Sequence, residues 1–437
     1  MNRALSGMKF KIKRLLKNKF VRSVVLISGG TAFAQVVAML SSPIITRIYS
    51  PDEYGVFTLF NSTLAILALV GSLKYELSIP IADDDEKSIN GMALSFLVLV
   101  SFVMVITLIL AIFGEAILPV VGAEKIIEYW YLIPLGILLT QTYRIFTQYA
   151  YRQKNFKGIT QTVGIQSVAG NSLKIITGFF GYGVIGLLSS KILSESIGIT
   201  TLSKPVFQNR ELLGKISFSK MKWIAKRYIK FPLYQFPSTL VGQISLNLPV
   251  LFLGFIYNSQ VVGAFGLANT IVRLPMNLIG KSVSNVFFAE AASMGRGNPK
   301  ELKNLSDKLL KKLVMIGLFP LITLLLFGPF LFTLIFGDSW VEAGNFARIL
   351  SVLIFSDFIF TPVSRVFEIL EKQRETLGLN ILRVLLSVSA FGIGIVFESS
   401  QYFTVLMYTV AMSLTYFTTY LMAQKYMKNA IEETNSK

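Results

Sequence analysis

Long apolar segments separated by short polar ones recur along the whole chain. Gly91–Gly114 contains no charged residue, and it is longer than the roughly 20 apolar residues with which a helix crosses about 30 Å of hydrocarbon. Apolar and polar residues do not alternate over ten-residue segments, which argues against a membrane β-barrel. The pattern therefore predicts an all-α membrane protein with twelve transmembrane helices. The predicted spans are 21–46, 54–80, 91–114, 129–150, 160–181, 184–203, 233–257, 264–288, 313–337, 345–370, 377–398 and 401–424.

A weak internal repeat divides the chain into two halves. Residues 47–61 return as residues 255–269, at a constant offset of 208 positions (47 to 255). Internal repeats of this length are typical of transporters. Because each half holds six predicted spans, both copies enter the membrane in the same direction, and a pseudo-twofold axis along the membrane normal should relate the two lobes. The identical pairs are Ile48/Ile256, Tyr49/Tyr257, Gly55/Gly263, Phe57/Phe265, Leu59/Leu267 and Asn61/Asn269.

Composition agrees with a bilayer environment and narrows the possible chemistry. Of the 437 residues, 53% are hydrophobic and 15% are charged, whereas charged residues make up about a quarter of soluble domains. Neither cysteine nor histidine occurs, which excludes disulfides, thiolate or imidazole metal sites and histidine proton relays. A glycine-rich phosphate loop and a nucleophile triad are also absent from the sequence. We therefore expect no cofactor, no metal and no enzymatic reaction.

The distribution of basic residues predicts the topology. Most of the 42 lysines and arginines lie at the termini and in alternate loops, and the predicted outer loops hold Arg47 and Lys125. Basic loops stay in the cytoplasm, so both termini should be cytoplasmic. Topology thus accounts for the net charge of +18 without a nucleic-acid partner. The predicted domains are a basic tail (1–20), an N-terminal six-helix lobe (21–203), a basic cytoplasmic linker (204–232), a C-terminal six-helix lobe (233–424) and a C-terminal tail (425–437).

The clearest functional pattern is a polar stripe on the predicted span 264–288. Asn269, Arg273, Asn277 and Lys281 recur at every fourth position, which places them on one face of a helix. A charge at mid-bilayer costs at least a few kcal/mol, so this face should line an aqueous interior and bind substrate. In the alternative interpretation, Lys281 extends to the cytoplasmic headgroups and Arg273 pairs with an acid.

Further candidates for a cationic cavity lie in the first half. Gln141, Arg144 and Gln148 share one face of the predicted span 129–150, because their spacings are three and four. Gln35 and Lys174 are the candidates on the predicted spans 21–46 and 160–181. Extension to the headgroups is an equally good interpretation of Arg144, and a polar contact between helices is an equally good one of Gln35.

Three carboxylates are candidates for coupling transport to an ion. Asp357, Glu76 and Glu195 lie within predicted spans, and a desolvated carboxylate can take up and release a proton as a cavity alternates between the two membrane faces. Asp357 is the most central of them. The expected coupling ions are H⁺ or Na⁺. Lys74 should lie almost opposite Glu76 on the helix, and its side chain should extend to the membrane surface and anchor the helix there.

Fixed ion pairs are the competing interpretation of these carboxylates. Asp357 is predicted to pair with Arg365 or Arg273 if it has a structural role. Lys191 precedes Glu195 by one helical turn, so this couple is interpreted mainly as structural pairing.

Three segments carry a resemblance to a known family. They are SSPIITRIYSPDEYGVF (41–57), its repeat with ANTIVRLP (268–275), and IFGDSWVEAG (335–344). Together they resemble the Wzx-type flippases of O-antigen or capsule repeat units, within the multidrug/oligosaccharidyl-lipid/polysaccharide exporter superfamily. The resemblance implies a MATE-like fold and a cationic cavity. It also implies movement of undecaprenyl-diphosphate-linked oligosaccharides from the inner to the outer leaflet of the bacterial cytoplasmic membrane, by alternating access. The implied partners are this substrate, membrane lipids, a glycan polymerase and chain-length proteins.

Two other function classes stay open on the sequence alone. A cation-coupled exporter of drugs or small molecules would use Asp357 or Glu76, although the excess of basic residues in the spans argues against cationic drugs. A scaffold without transport activity would recruit glycan-synthesis enzymes through the linker 204–232. Binding of anionic lipid already explains most of the linker lysines.

Overall fold

The computed structural model of the protein describes residues 19–120, 122–294, 298–370 and 372–435. Within these ranges all regular secondary structure is helical. In chain order the α-helices are α1 (Lys19–Ile48), α2 (Pro51–Leu67), α3 (Ser78–Ile81), α4 (Asp85–Val120), α5 (Leu132–Arg152), α6 (Phe156–Phe179), α7 (Gly183–Ser196), α8 (Ile199–Gln208), α9 (Arg210–Leu213), α10 (Phe218–Arg227), α11 (Phe236–Ile256), α12 (Ser259–Met294), α13 (Pro299–Phe336), α14 (Val341–Ser364), α15 (Val366–Ile369), α16 (Gln373–Val396) and α17 (Gln401–Asn435).

The helices agree with the apolar pattern of the sequence. Each predicted span overlaps a helix, and eight of the described helical stretches are long and apolar enough to cross a membrane. The chain is therefore a multi-pass, all-α membrane protein. The other four predicted spans, all in the first half, correspond to shorter or more polar helices; α2 has 17 residues and α7 has 14. The count of twelve spans stays a prediction.

Turns interrupt the predicted spans 54–80, 184–203 and 345–370, the last of them at Arg365 between α14 and α15. Helix α2 ends at Leu67, and the backbone of Leu73 and Lys74 is left-handed, with φ of 49° and 67°. The prediction of one helix over 54–80 is therefore wrong in its second half. Similarly, Gly198 has a φ of 99° between α7 and α8, a conformation that glycine adopts at no steric cost.

The described residues form two compact units. Unit 1 comprises residues up to Ile48 together with 63–118 and 126–243, and unit 2 comprises 49–62, 119–125 and the residues from Ile244 onward. In unit 1 the amphipathic helix α10, from the predicted linker, packs Ile224 against Tyr75 and Leu94. In unit 2 helix α14 packs against α12, α13 and α17. The six-helix lobes with the predicted boundaries stay a prediction.

The repeated segments form equivalent helix starts. Helix α2 begins at Pro51 and α12 begins at Ser259, positions that are related by the repeat offset. Ser50 and Glu53 form a reciprocal capping box before α2, with the Ser50 N–H donating to Glu53 at 2.8 Å. At the equivalent position before α12, Asn258 accepts from the Val261 N–H at 2.9 Å. Both copies thus use the same N-cap chemistry to begin a helix at the same repeat position.

Two glycines allow these helix starts to contact each other within unit 2. A Cβ atom on Gly55 would overlap the carbonyl of Ser259, and a Cβ atom on Gly263 would overlap the carbonyl of Pro51. The repeat offset relates Pro51 to Ser259 and Gly55 to Gly263. Residue i of one copy therefore contacts residue j of the other and vice versa, which is the pattern that a local twofold axis produces.

Asp52 joins three segments of unit 2 at this contact. Its carboxylate accepts from the Lys125 ammonium at 2.8 Å and from the Ser259 hydroxyl. Burial opposes ionisation of the carboxyl, but the hydrogen bonds from Lys125 and Ser259 and the lysine charge outweigh it and lower the pKa of Asp52. A lowered pKa in the folded state stabilises the protein above the ordinary aspartate pKa of about 3.9, and this contribution is lost as the pH falls through the folded-state value.

The Asp52→Asn variant is therefore expected to melt below the wild type at neutral pH. The difference in melting temperature should shrink as the pH falls below about 4, where the wild-type carboxylate is also neutralised. The difference in melting temperature is measured in detergent at a series of pH values between about pH 3 and pH 8, in steps smaller than the ~1-unit size that such pKa shifts usually have. Lys125→Met should lose the same pH dependence, and a pH-independent difference would contradict the assignment.

Candidate functional site

Unit 2 contains a cavity of about 470 Å³ between helices α12 and α14. Arg273 and Ser284 are eleven positions apart on α12, so the 3.6-residue period brings both to the face that lines the cavity. The cavity lining combines arginines, carboxylates and hydroxyl groups with apolar side chains. Its charged and hydroxyl lining residues include Arg273, Ser284, Asp357, Thr361, Arg365 and Glu368.

Arg273 is the central cation of this cavity. Its Nη1 donates to Oδ2 of Asp357 on α14 at 2.8 Å, and its Nε donates to Oδ1 of Asn269, one turn earlier on α12, at 2.8 Å. The side chains of Arg273 and Asp357 are each 24% exposed, so the ion pair borders the cavity instead of lying in a closed core. Of the two partners that the sequence left open for Asp357, the structure selects Arg273.

Asp357 has a second hydrogen bond on its own helix. Thr361 lies one turn later on α14, and its hydroxyl donates to Oδ1 of Asp357 at 2.6 Å. Each carboxylate oxygen therefore has a donor among the described residues. A charged group with this arrangement is held by charge-assisted hydrogen bonds, which are about twice as strong as neutral ones.

A second arginine lies further along the same cavity. Arg365 follows the end of α14, and its Nη1 donates to Oε1 of Glu368 at 2.5 Å. Its Nε lies 3.4 Å from the hydroxyl of Ser284 on α12, and its guanidinium lies 5.7 Å from the ring centre of Phe288. The side chains of Arg365 and Glu368 are 40% and 51% exposed. Solvent therefore screens this pair more than the Arg273 pair.

Sequence reasoning missed three residues in the surroundings of the Arg273–Asp357 pair. Tyr408 and Tyr416 on α17 lie within electrostatic range of Asp357 and Arg273. The guanidinium of Arg383, on α16, lies 4.7 Å from the ring centre of Tyr416. Arg383 stands inside a predicted span, and this position was the signal that could have identified it, because an intramembrane charge marks a functional residue by default. The tyrosines carry no comparable signal.

Unit 1 contains a separate charged cluster. Lys191 and Glu195 pair at 2.6 Å, which confirms their predicted pairing one turn apart. Thr140 donates to the same carboxylate at 2.5 Å, and Lys174 on α6 lies within electrostatic range of both charges. Glu195 thus links helices α5 and α7 in the structure. Its role in ion coupling and the role of Lys174 in substrate binding stay predictions.

Glu76 also has structural partners in unit 1. It is 4% exposed, and the Ser72 hydroxyl donates to it at 2.5 Å. Lys74 lies 3.9 Å from Glu76, so the predicted placement of these two residues on opposite helix faces is wrong. That prediction assumed a continuous helix, whereas the chain forms a turn here.

Arg144 is exposed and lies within electrostatic range of Lys74 and Glu195.

The remaining amide candidates are placed as follows. Gln141 is buried and Gln35 is half-buried, and Oε1 of each has no hydrogen-bond partner among the described residues. Gln148 is half-buried on α5. The backbone of Asn277 and Lys281 continues helix α12, but their side chains lie outside the described residues. Arg144 and Arg273 belong to different units, so the convergence of these cations stays a prediction.

Comparisons with known sequences identify related proteins. A family model described as polysaccharide biosynthesis protein matches residues 44–345. The succinoglycan biosynthesis transport protein ExoT of Rhizobium meliloti (strain 1021) is 21% identical over 351 residues. This alignment covers 78% of the chain and 66% of the relative, so the chain spans just under two thirds of that protein's length.

Two solved structures show the same fold. A multidrug resistance MATE family transporter of the MOP superfamily, in an inward-facing conformation, superposes with a TM-score of 0.73 at 18% identity, over 91% of this chain and 96% of that chain. The lipid II flippase MurJ, in an inward closed conformation, superposes with a TM-score of 0.68 at 14% identity, over 94% of this chain and 92% of that chain. The fold is therefore MATE-like, as predicted.

Proposed function

Because this chain belongs to the polysaccharide biosynthesis protein family, we propose that it is a flippase for lipid-linked oligosaccharides. It moves undecaprenyl-diphosphate-linked repeat units from the inner to the outer leaflet of the bacterial cytoplasmic membrane by alternating access, for the synthesis of a cell-surface polysaccharide. The observation that carries the proposal is the cavity between α12 and α14, in which two arginines border a space large enough for a diphosphate.

The chemistry of the cavity fits such a headgroup. A diphosphate cannot enter hydrocarbon without compensation for its negative charge, and the planar guanidinium binds phosphate oxygens through two parallel hydrogen bonds. Arg273 and Arg365 provide two such groups. Ser284, Thr361 and the amide of Asn269 offer neutral partners of the kind that sugar hydroxyls need. The isoprenoid tail can remain in the surrounding lipid during transport.

The other predicted residues enter the proposal as secondary binding and coupling groups. In unit 1, Arg144, Lys174 and Gln141 are proposed to contact the headgroup at another stage of transport. Asp357, Glu76 and Glu195 are the proposed sites for H⁺ or Na⁺ coupling. A glycan polymerase and chain-length proteins are the proposed partners, and both termini are proposed to lie in the cytoplasm.

Reconstituted protein provides a direct test of the proposal. Proteoliposomes receive a polyprenyl-diphosphate disaccharide with a fluorophore on the sugar, and external dithionite then destroys the fluorescence of the outer leaflet. We expect transfer between leaflets at least about tenfold faster than in protein-free liposomes, because the arginines replace the water around the diphosphate. A neutral ether lipid with the same disaccharide is the control and should not be transferred. Equal rates for both lipids, or no transfer of either, would contradict the proposal.

The competing transport function has a different outcome in the same vesicles. Ion-gradient-driven extrusion of an organic cation, abolished in the Asp357→Asn variant, would replace the proposal by a cation-coupled exporter. The MATE-like fold is compatible with this alternative. Membership of the polysaccharide biosynthesis protein family favours the lipid-linked substrate instead, and the two arginines at the cavity offer groups that can bind its diphosphate.

A further inference from the structure

Both arginines of the α12–α14 cavity already bind carboxylates of the same chain. Arg273 pairs with Asp357 at 2.8 Å, and Arg365 pairs with Glu368 at 2.5 Å. All four residues line the cavity, so among the described lining residues two positive charges are balanced by two negative ones. A phosphate that approaches either guanidinium must therefore share it with a carboxylate or displace that carboxylate.

The Arg273–Asp357 pair is harder for a phosphate to displace than the Arg365–Glu368 pair. One guanidinium edge of Arg273 is used by Asp357 through Nη1, and Nε is used by Asn269. The two edges through which a guanidinium binds a phosphate with parallel hydrogen bonds are Nε/Nη2 and Nη1/Nη2, so either edge includes a nitrogen that already has a partner. Partial burial also strengthens this pair relative to the exposed Arg365–Glu368 pair.

The structure allows Asp357 to leave Arg273 without unfolding its helix. Among the described residues, the other hydrogen bond to Asp357 comes from Thr361, which lies on the same helix and can follow it. About a quarter of each side chain of the pair is exposed, so a ligand in the cavity can reach the guanidinium. The exchange replaces a carboxylate at Arg273 by a phosphate group that carries more negative charge, and this difference favours binding of the phosphate.

We propose that Asp357 competes with the diphosphate of the substrate for the guanidinium of Arg273. The carboxylate thereby lowers the affinity of the cavity for lipid-linked substrate and promotes its release. This inference rests on the proposed function and assigns a specific role to one residue within it. Glu368 competes in the same way for Arg365, but more weakly, because solvent screens that pair.

The surroundings of Asp357 determine what happens to the displaced carboxylate. Helix α12 presents Arg273 to it, and α17 presents Tyr408 and Tyr416. The guanidinium of Arg383 on α16 lies 4.7 Å from the ring centre of Tyr416. Helix α13 packs apolar residues against this part of α14, with Leu313 beside Phe358 and Gly317 beside Phe355. A carboxylate displaced from Arg273 lies near the bound diphosphate, and the two negative charges repel each other.

Binding of a defined probe to the full-length protein tests the competition. Isothermal titration calorimetry in detergent measures the affinity for farnesyl diphosphate. We expect Asp357→Asn to bind about tenfold more tightly, which corresponds to Asp357 occupying Arg273 about nine tenths of the time. Asp357→Ser provides a second neutral variant in case one of them folds poorly. Glu368→Gln should tighten binding by about twofold.

Matched controls separate this effect from a change in overall charge. Asp307 pairs with Lys303 at 2.6 Å elsewhere in unit 2 and does not line the cavity, so Asp307→Asn should leave the affinity unchanged. Arg273→Gln should weaken binding at least tenfold, with or without Asp357→Asn. In proteoliposomes, Asp357→Asn should lower both the half-saturating lipid concentration and the maximal transfer rate, because tight loading slows release.

The outcomes distinguish the competition from the proposed function. If the wild type binds farnesyl diphosphate through Arg273 but neither neutral variant binds it more tightly, the competition is refuted and the flippase proposal stands. Weaker binding in both neutral variants would also refute it, because Asp357 would then support the site. If no variant binds the diphosphate and none transfers the lipid, both proposals are refuted.

Discussion

Replacing Arg273 by alanine is expected to abolish surface-glycan export while leaving the protein in the membrane. Each hydrogen bond between a guanidinium and a charged oxygen contributes about 1.5–3 kcal/mol. Loss of the two that grip a phosphate would reduce export at least about a hundredfold. The measurement is surface polysaccharide on intact cells, normalised to the amount of the variant in the membrane fraction.

Arg348 offers a matched control for this substitution. It is an exposed arginine on α14 and does not line the cavity, so Arg348→Ala should export polysaccharide at the wild-type level. Export by Arg273→Ala at the level of Arg348→Ala would count decisively against the proposed site.

A double substitution separates substrate binding from stability. Arg273→Ala leaves Asp357 as a partly buried carboxylate without its ion-pair partner, and removing one member of a buried pair costs up to about 3–5 kcal/mol. We expect Arg273→Ala/Asp357→Ala to recover thermal stability, because the unpaired charge is gone. It should still fail to export polysaccharide. Recovery of export in the double variant would mean that Arg273 has only a structural role.

The second large effect is expected at the glycine contact between the repeated segments. Gly55→Ala and Gly263→Ala each place a methyl group against a backbone carbonyl, of Ser259 and Pro51 respectively. A backbone atom cannot rotate away as a side chain can, so the two helix starts must separate. Overpacking of this kind costs about 1–3 kcal/mol and sometimes more. Both variants should show lower melting temperatures in detergent and lower abundance in the membrane.

Two measurements make this prediction specific to the contact. Gly242 on α11 has no atom within 4 Å of an added Cβ, so Gly242→Ala should keep or slightly raise the melting temperature, since alanine favours helix by about 0.5–1 kcal/mol. The double variant Gly55→Ala/Gly263→Ala should be less destabilised than the sum of the single variants, because both act on one contact. Wild-type melting of Gly55→Ala would refute the close approach.

Features that depend on neighbours along one helix were predictable from the sequence. The pairing of Lys191 with Glu195 and the contact of Asn269 with Arg273 both join residues four positions apart. The helical period alone brings such residues together. The prediction for Lys74 and Glu76 used the same period and was wrong, because the chain leaves the helix after Leu67 and turns. Gly71 lies within this turn, but a single glycine inside an apolar segment does not by itself locate the end of a helix.

Features that join distant segments were only partly predictable. Repeat matching identified Gly55 and Gly263 as equivalent positions, but it contained no information that the two copies contact each other through them. Arg383 was visible as a charge inside a predicted span, yet its place beside Tyr416 depends on how α16 packs against α17. Such packing follows from the shapes of many side chains together, and the period of one segment does not contain it.

The sequence by itself determined that this protein is a helical membrane protein, where most of its helices run, and which polar groups share a face where a helix is continuous. These properties follow from local rules, namely the length of apolar segments and the 3.6-residue period. Only the tertiary structure decided that Asp357 takes Arg273 as its partner across 84 positions of the chain, and that both border a cavity with a second arginine. A charge buried in a membrane normally needs a counter-charge, but the sequence is compatible with more than one pairing. The packing of α12 against α14 selects one of them.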